Sequence, residues 1–335
     1  MSVRTLSILG STGSIGTSAL SVIAHANATE AEPVFTIDTL AAGRNADLLI
    51  EQAKAFQPKH VVIADETGFA HVRDALALTG ISVAAGKAAV TEAARRPVDR
   101  LLAAIVGIDG LPSTLAAIEA GNSIALANKE SMVCAGPLLN RLAEANQVAI
   151  VPTDSEHNAM FQVMERREDI ERLILTASGG PFRGASDAQL KSVTPEMALA
   201  HPQWEMGQKI SIDSATLFNK GLELIEASYL FNMPEDQIEV VVHPQSVIHS
   251  AVAYRDGSVL AQMGTPDMQT PIAHALTWPD RRQSTSVKRL DLIALSRLDF
   301  EALDAENFPS VELTRSALRA GCGAPTVLNC ANEGA

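Results

Sequence analysis

The chain has 335 residues, 47% of them hydrophobic and 19% charged, which is enough for about two domains with cores of their own. This apolar fraction excludes a disordered low-complexity chain, and only 4% aromatic residues argues against a stacking surface for single-stranded nucleic acid. The formal net charge of −13 would repel nucleic acid and anionic membranes, so we expect neither as a partner.

The first half of the chain alternates short apolar runs with segments of helical periodicity, from Leu6 to Val151. This alternation is typical of a parallel sheet covered by helices, and a single glycine-rich loop favours an open doubly wound sheet over a barrel. We predict helices over 46–56, with Asn45 as N-cap, and over 112–120, with Gly121 at its end. The predicted strands are 6–9, 35–41, 61–64, 81–83, 103–106, 123–127 and 148–151.

The glycine loop after the first strand is the first motif with chemical meaning. Gly10, Gly13 and Gly16 lie between a predicted strand and a predicted helix, where backbone N–H groups and a helix N-terminus can bind a pyrophosphate. The spacing is GxxGxxG rather than GxGxxG, so a tight turn with glycines for packing alone stays open. We predict a dinucleotide site here.

The end of the second strand indicates which dinucleotide is bound. NAD sites usually carry an acid at this place to hold the ribose hydroxyls, whereas this sequence has Gly43-Arg44-Asn45. A cation here fits the 2′-phosphate of NADP, although a plain surface role for Arg44 stays open. Asp38 is at the usual distance after the glycine loop, but it falls inside the strand rather than at its tip. The pattern favours NADP.

Acidic residues in the second half are candidates for holding a hard cation. Asp154 and Glu156 stand two residues apart at a strand end, and Glu223 lies on a predicted helix. Carboxylates at such spacing can bind Mg²⁺ or Mn²⁺. Two alternatives stay open: a solvated turn or a helix N-cap pair for Asp154 and Glu156, and a Lys220–Glu223 helix pair for Glu223. The buried stripe of the helix would be Phe218, Leu222, Ile225 and Tyr229, with Asn219, Glu223 and Glu226 on another face.

Hydroxyl groups and glycines in the same half could hold a phosphate monoester. Ser178-Gly179-Gly180 follows an apolar run and offers bare amides beside a hydroxyl. The segment 211–216 precedes the Asn219 helix and would place hydroxyls at its positive end, close to Lys220. Either segment alone is more typical of a cap or a turn.

Two further segments describe the shape of the second half. Residues 201–207 combine a proline, a tryptophan and a terminal glycine, which suits either a lid or a loop anchored by Trp204. The runs 247–254 and 258–263, joined through Asp256-Gly257, predict a β-hairpin. The second domain is therefore expected to be α+β.

Six motifs follow one another in order over nearly the whole chain: 10–16, 127–130, 153–157, 201–207, 219–226 and 243–246. Taken together they resemble the 1-deoxy-D-xylulose 5-phosphate (DXP) reductoisomerase family. The resemblance implies conversion of DXP into 2-C-methyl-D-erythritol 4-phosphate in non-mevalonate isoprenoid synthesis, with NADPH and one divalent cation (Mg²⁺, Mn²⁺ or Co²⁺). Rearrangement to an aldehyde would precede hydride reduction. It also implies a homodimer.

The resemblance implies a role for each matching residue. Those contacting NADPH would be Thr12, Gly13, Ser14, Ile15, Gly43, Arg44, Asn45, Asn128, Glu130 and Gly207. The metal ligands would be Asp154, Glu156 and Glu223, which with Lys129 form the catalytic set. The substrate's hydroxyl and keto end would contact Lys129, Ser155, Glu156, His201 and Glu223. Its phosphate would contact Ser178, Ser214, Asn219 and Lys220, under a flap with Trp204 and Met206.

These inferences divide the chain into three parts. We predict an NADPH-binding Rossmann-like domain over 1–152, a catalytic α+β domain over 153–282 with a flap near 200–208, and a connecting region over 283–335. Because the family is expected to continue beyond 331–333 into further helices, we expect its C-terminal helical domain to be truncated here. Two other functions stay open: an NADP dehydrogenase for another phosphorylated substrate, and a catalytically silent chain that binds NADPH.

Cysteine use and hydropathy suggest where the protein works. Cys134, Cys322 and Cys330 are an odd number without CxxC spacing, which argues against a disulfide framework and a zinc site. The apolar run 101–108 is far shorter than the about 18 residues needed to cross a bilayer, and the N-terminus lacks a signal-peptide pattern. We expect a cytoplasmic protein without a transmembrane helix.

Overall fold

The computed structural model describes residues 3–200, 207–280, 284–321 and 323–334. The chain divides into two compact units: the first combines residues up to 131 with 137–154 and 268–286, and the second combines 132–136, 155–267 and residues from 287 onward. The predicted boundary at 152/153 is close to the change of unit after Asp154, but 268–286 cluster with the first unit rather than the second. Within the described ranges, none of the helices has both the length and the apolar character needed to span a bilayer.

A parallel sheet of seven strands is the core of the first unit. The strands are β1 (Arg4–Leu9), β2 (Phe35–Ala42), β3 (His60–Ile63), β4 (Ser82–Ala85), β5 (Arg100–Ala103), β6 (Ile124–Leu126) and β7 (Ile150–Pro152). Their order is β4-β3-β2-β1-β5-β6-β7, so the chain builds outward from β1 in one direction and then resumes beside β1 with β5. Such a switch point is where open α/β sheets bind ligands. The predicted doubly wound sheet is confirmed.

Six helices alternate with these strands. They are α1 (Ser14–Thr29), α2 (Ala46–Phe56), α3 (Phe69–Leu76), α4 (Lys87–Ala93), α5 (Leu111–Glu119) and α6 (Lys129–Asn146). The prediction for α2 is confirmed at both ends, because the Asn45 side chain accepts a hydrogen bond from the Leu48 N–H at 3.2 Å and so caps the first turn. Gly121, with a φ of +83°, follows the end of α5 as predicted.

The predicted position of the fifth strand was wrong. The sequence pattern placed it at 103–106, whereas β5 ends at Ala103. The neighbouring strands explain the difference: β1 ends at Leu9 and β6 ends at Leu126, and both of these residues pair with Ala103. Beyond that point the apolar run has no strand on either side to bond, so it leaves the sheet as a loop, and Val106 is exposed.

The second unit is built on a mixed sheet of five strands. The strands are β8 (Ile170–Ala177), β9 (Ile238–Val242), β10 (Ile248–Tyr254), β11 (Val259–Met263) and β12 (Glu301–Ala302), in the order β11-β10-β8-β9-β12. The antiparallel pair β10–β11 confirms the predicted hairpin. Its core includes Leu173, Leu175, Leu224 and Val252. The predicted α+β character is therefore confirmed.

Helices flank this second sheet. They are α7 (Ser155–Val163), α8 (Asp187–Leu190), α9 (Pro195–Leu199), α10 (Gln208–Ala215), α11 (Phe218–Phe231), α13 (Leu292–Leu295), α14 (Ser310–Ala320) and α15 (Ala324–Gly334). Leu222 and Ile225 of α11 are buried, and Phe218 and Tyr229 pack against the same cluster, as the predicted stripe requires. The segment 211–216 precedes α11 as predicted, and most of it forms the end of the helix α10 rather than the cap or turn that stayed open as the alternative.

One helix from late in the chain, α12 (Gln269–Thr277), belongs to the first unit. The carbonyl oxygen of Trp278, just after this helix, accepts hydrogen bonds from Arg4 Nη1 at 2.9 Å and from Arg100 Nη2 at 2.8 Å. These arginines stand at the N-terminal ends of β1 and β5. These hydrogen bonds attach the segment after α12 to the N-terminal ends of two central strands, whereas the glycine loop follows the carboxyl end of β1.

Candidate active site

The glycine loop of the first unit is shaped by two close backbone approaches. Gly10 has a φ of +92°, and a Cβ there would lie 2.3 Å from the carbonyl oxygen of Ala104. A Cβ on Gly16 would lie 2.3 Å from the carbonyl oxygen of Gly10, whereas one on Gly13 would find its nearest neighbour at 3.4 Å. Because α1 begins at Ser14, its first N–H groups point out of the helix without helical acceptors. This arrangement suits a pyrophosphate.

An exposed cation follows β2, as the NADP prediction requires. The Arg44 side chain is 91% exposed, and its Nε lies 3.5 Å from Asp65 Oδ2. Asp38, the other candidate for selecting the dinucleotide, is buried inside β2, where its Oδ2 accepts a 2.6 Å hydrogen bond from Arg96 Nε. Burial acts to raise the pKa of Asp38, but hydrogen bonds from Arg96 and Thr39 outweigh it and lower the pKa. Asp38 is therefore committed to a structural ion pair.

The Asn128 side chain holds a neighbouring loop. Its Oδ1 caps α6 by accepting a hydrogen bond from the Ser131 N–H at 2.7 Å, and its Nδ2 donates to the carbonyl oxygens of Ile105 and Gly107. These bonds fix the 105–107 loop beside the carboxyl end of β5. Glu130 stands in the first turn of α6 and is half-buried. Contacts of either residue with NADPH stay a prediction.

Two residues of the predicted catalytic set meet within the first unit. Lys129 opens α6 after β6, and Asp154 follows β7. Because β6 and β7 are neighbours in the sheet, their carboxyl ends bring the two side chains together. Lys129 Nζ lies 2.5 Å from Asp154 Oδ2, and both side chains are largely shielded from solvent.

A second group of predicted residues meets within the second unit. Ser155 and Glu156 open α7, while Asn219, Lys220 and Glu223 lie on the first turns of α11. Lys220 Nζ donates to Glu156 Oε1 at 2.7 Å and also to the Glu223 carboxylate, which Asn219 Nδ2 bonds through its other oxygen. Ser155 Oγ donates to Glu156. All five residues form one hydrogen-bonded cluster.

The donor atoms of this cluster suit a hard cation. Glu223 is 1% exposed, and carboxylate oxygens of Glu156 and Glu223 lie within 4.8 Å of each other. Burial acts to lower the pKa of Lys220, but the two carboxylates outweigh it and raise the pKa, so the ammonium stays charged. Carboxylate oxygens such as these are the donors that Mg²⁺ or Mn²⁺ prefers. The Lys220–Glu223 helix pair is thus real but extends to Glu156.

A buried histidine–glutamate pair, His157 and Glu226, adjoins this cluster, and the sequence had suggested no role for it. His157 is 0% exposed, and its Nε2 lies 2.8 Å from the backbone oxygen of Glu223. Its Nδ1 lies 3.5 Å from Glu226 Oε2, and Glu226 is buried as well. The sequence held a signal for both, because His157 directly follows Glu156 and Glu226 follows Glu223 by one helical turn. His157 therefore contacts the α11 backbone at Glu223, and Glu226 lies beside the other ring nitrogen.

The two predicted phosphate segments come together in the second unit. Ser178 follows β8, and its Oγ accepts a hydrogen bond from the Gly180 N–H at 3.2 Å. Gly180 has a φ of +67°, and a Cβ there would lie 2.7 Å from the carbonyl oxygen of Ser214. The loop and the end of α10 are therefore packed backbone to backbone. Ser211, by contrast, donates its Oγ proton to the Gly207 carbonyl oxygen within its own helix.

The motif 243–246 is a buried structural support. His243 is buried, its Nδ1 lies 2.8 Å from the Asp299 carbonyl oxygen, and its ring stacks on Phe300 with centroids 4.8 Å apart. Gln245 Nε2 donates to Asp299 Oδ2 at 2.6 Å. Nearby on β10, burial lowers the pKa of His249 to about 4.

Comparison with known proteins identifies the family of this chain. The family model described as 1-deoxy-D-xylulose 5-phosphate reductoisomerase matches residues 6–136, and the model of its C-terminal domain matches 150–231. A relative of that name from Rhodospirillum centenum is 54% identical over 334 residues, covering 99% of this chain and 81% of the relative. One from Caulobacter vibrioides is also 54% identical, over 99% of this chain and 82% of its own. The chain belongs to the DXP reductoisomerase family.

Solved DXP reductoisomerases share this fold. The enzyme from Zymomonas mobilis, in complex with NADPH, superposes with a TM-score of 0.92 at 47% identity, over 99% of this chain and 85% of that one. A DXP reductoisomerase solved with NADPH, fosmidomycin and magnesium gives a TM-score of 0.92 at 44% identity, over 99% and 83% of the two chains.

The C-terminal domain that was expected to be truncated is represented in this chain. A further model, described as the DXP reductoisomerase C-terminal domain, matches 263–335, so at least this part of that domain is present, with α14 and α15 in it. His201, Trp204 and Met206 of the predicted flap lie outside the described residues. Gly207 is the N-cap of α10 in the second unit, whereas the other nine residues predicted to contact NADPH belong to the first.

Proposed function

We propose that this chain converts DXP into 2-C-methyl-D-erythritol 4-phosphate in non-mevalonate isoprenoid synthesis, with NADPH and a divalent cation. The carbon skeleton is rearranged to an aldehyde, which is then reduced by hydride. The observation that carries the proposal is 54% identity over 99% of the chain to a DXP reductoisomerase. Every residue assigned to the metal and to the substrate phosphate is present in this sequence. A solved relative was obtained with NADPH, fosmidomycin and magnesium, which supports these cofactors.

We propose that NADPH binds along the carboxyl ends of β1 and β2. The N–H groups at the start of α1 would hold the pyrophosphate, and the exposed Arg44 would pair with the 2′-phosphate. NADPH supplies the hydride for the reduction step. Asn128 would act mainly by holding the 105–107 loop. The full proposed set is Thr12, Gly13, Ser14, Ile15, Gly43, Arg44, Asn45, Asn128, Glu130 and Gly207.

We propose Asp154, Glu156 and Glu223 as the ligands of the divalent cation. The support is the donor chemistry: the carboxylates of the half-buried Glu156 and the buried Glu223 share Lys220, and Asp154 precedes Glu156 by two residues along the chain. When bound, the cation supplies a Lewis acid that polarises oxygens of the substrate. His157, paired with Glu226, would hold Glu223 in place through its contact with the Glu223 backbone oxygen.

The remaining residues would bind the substrate and move its protons. Lys129 and Glu156 are the candidates for proton transfer between the substrate oxygens, since both are shielded from solvent and linked to other charges. Ser155, His201 and Trp204 would contact the sugar end. Phosphate binding fixes the orientation of the reacting carbons, so binding energy far from them is used for rate. The phosphate contacts would be Ser178, Ser214, Asn219 and Lys220.

Assembly and location are further parts of the proposal. A homodimer is proposed from family membership, and a cytoplasmic location from the three cysteines without disulfide or zinc spacing. Light scattering of the purified chain tests the first, since a monomeric mass would contradict it. Fractionation of cells producing the protein tests the second, and recovery outside the cytoplasm would contradict it.

The test of activity is NADPH consumption by the purified chain with DXP and Mg²⁺ or Mn²⁺. We expect turnover that EDTA abolishes, that added metal restores, and that Glu223→Gln lacks. Glu171→Gln, which changes an exposed glutamate on β8, is the matched control and should keep full activity. A folded wild-type chain that binds NADPH but turns over no DXP would overturn the proposal in favour of a silent binding protein.

A further inference from the structure

The short helix α10 carries a hydroxyl on which the proposed phosphate site depends. It spans only Gln208–Ala215, about two turns, and so short a helix is not stable without tertiary contacts. Ser214 stands at its end, where its carbonyl oxygen packs against Gly180 of the loop that carries Ser178. The position of the Ser214 hydroxyl therefore depends on whatever holds α10 in place.

A buried carboxylate on α10 supplies that hold. The Asp213 side chain is 9% exposed, and a carboxylate this buried is costly unless both of its oxygens have partners. Its Oδ2 accepts a 2.6 Å hydrogen bond from Lys209 Nζ, one turn earlier on the same helix. Its Oδ1 accepts a 3.2 Å hydrogen bond from Asn332 Nδ2 of α15. Glu333 Oε1 of α15 lies 3.7 Å from Lys209 Nζ, so two neighbouring residues of α15 engage both charges of α10.

The helix α15 is itself anchored at its other end. Thr326 Oγ1 donates to the carbonyl oxygen of Cys134 at 3.1 Å, and Asn329 Nδ2 lies 3.6 Å from Cys134 Sγ. Asn329 is fully buried. Cys134 stands immediately before the point where α6 departs from helical geometry, at Ala135, so its carbonyl oxygen gains a side-chain partner where the helical ladder is interrupted. Asn332 thus projects from a helix that is held independently of α10.

We propose that Asn332 and Glu333 are positioning residues for the substrate phosphate: they hold α10 through Asp213 and Lys209 and so set the place of Ser214. The inference rests on the proposed function. It assigns to α15 a role in substrate affinity, although none of its residues is proposed to contact the substrate. A small rotation of α10 would move the Ser214 hydroxyl relative to Ser178, whereas the glycine loop and Arg44 belong to the first unit and have no part in α10.

The decisive variant is Asn332→Asp, which sets a second carboxylate against Asp213. We expect the KM for DXP and the inhibition constant of inorganic phosphate each to rise about tenfold, since one buried charge-assisted contact is replaced by repulsion. NADPH affinity should change much less than phosphate affinity, because nine of the ten residues proposed to contact NADPH lie in the first unit and only Gly207 lies at the start of α10. The double variant Asp213→Asn/Asn332→Asp restores one carboxylate opposite one amide and should recover most of the phosphate affinity.

Val327→Ala is the matched control, because Val327 is 70% exposed on the same helix. It should leave every constant unchanged. Thermal unfolding followed by circular dichroism shows whether each variant is folded, and Asn332→Ala, which only removes the donor, replaces Asn332→Asp if the latter is not. A folded variant with unchanged KM and unchanged phosphate inhibition, or one whose kcat falls at constant KM, would overturn the inference.

The same experiment separates this inference from the proposed function. If the wild-type chain has no DXP turnover, the proposed function fails, but calorimetric titration with inorganic phosphate still compares wild type, Asn332→Asp and the double variant. Weaker phosphate binding in the single variant with recovery in the double variant supports the role of α15 even then. Equal phosphate binding in all three, or absence of binding in all three, would overturn it.

Discussion

The two proposed binding regions of this chain are built from different materials. In the first unit, the dinucleotide region is mostly backbone: Gly10 and Gly16 allow the close approaches, and N–H groups at the start of α1 point outward. In the second unit, the site is a cluster of side-chain charges, with the buried Lys220 between the half-buried Glu156 and the buried Glu223. A backbone site is damaged by adding atoms, whereas a charge cluster is damaged by removing them. The following experiments test that contrast.

The largest effect is expected from Lys220→Met. Removing the ammonium between the buried Glu223 and the half-buried Glu156 should lower the free energy of unfolding by about 3–5 kcal/mol in EDTA, because the Glu223 carboxylate loses a buried partner. Mg²⁺ should restore part of this loss if the carboxylates bind it. Urea unfolding with EDTA or Mg²⁺ measures both effects, with the exposed Lys191→Met as control. Equal stability of Lys220→Met and wild type in EDTA would contradict the charge-cluster description.

The second unit should also make stability depend on pH. Burial lowers the pKa of His249 from 6.5 to about 4, so the folded state favours the neutral ring. In the unfolded chain this ring binds a proton near pH 6.5, so the stabilisation is complete above that pH and falls as the pH drops from 6.5 to about 4. The loss amounts to about 3 kcal/mol.

Urea unfolding at several pH values between 7 and 4.5 measures this loss. His249→Gln, which cannot be protonated, should show a shallower decline over the same range, and His71→Gln, at an exposed histidine of the first unit, serves as the control. A decline of equal slope in wild type and His249→Gln would show that His249 does not cause it.

A smaller effect is expected from adding one carbon to the backbone site. In Gly16→Ala the new Cβ would lie 2.3 Å from the Gly10 carbonyl oxygen, so the loop or the helix must shift, at a cost of about 1–3 kcal/mol. Gly13→Ala is the matched control for stability, because its nearest neighbour is at 3.4 Å. Thermal unfolding and NADPH titration compare the two. Equal stability of the two variants would contradict the description of the loop.

The smallest effect is expected from Arg44→Ala. Losing one exposed charge-assisted contact with the 2′-phosphate should weaken NADPH binding about tenfold and leave NADH binding unchanged. Fluorescence titration with both dinucleotides measures this preference. The control is Arg73→Ala, another exposed arginine of the first unit. If NADPH and NADH affinity fell equally, Arg44 would not be reading the 2′-phosphate.

Sequence reasoning was most accurate where structure depends on near neighbours. The Asn45 cap, both ends of α2 and the β10–β11 hairpin were predicted, because capping and hairpin turns involve residues a few positions apart. It failed for β5, whose end is set by where the neighbouring strands stop. It also did not identify α10, the helix whose end carries the hydroxyl residues Ser211 and Ser214 that precede α11.

The candidate site divides in the same way. Glu156, Lys220 and Glu223 were named from their residue types and spacing, and the structure joins them in one cluster. His157 and Asp213 received no role, because a histidine or a carboxylate acquires one only through partners far along the chain. Asp213 bonds Asn332, which is 119 positions away, and no local pattern predicts that contact.

The sequence by itself determined the fold class, the family and the residue types that the chemistry requires, because periodicity, glycine placement and motif order are written along the chain. Tertiary structure alone decided which charges are buried, which carbonyl oxygens the glycines approach, and how α15 engages α10. The physical reason is distance along the chain. Local rules act within a few residues, whereas burial and buried ion pairs depend on segments that meet only after folding.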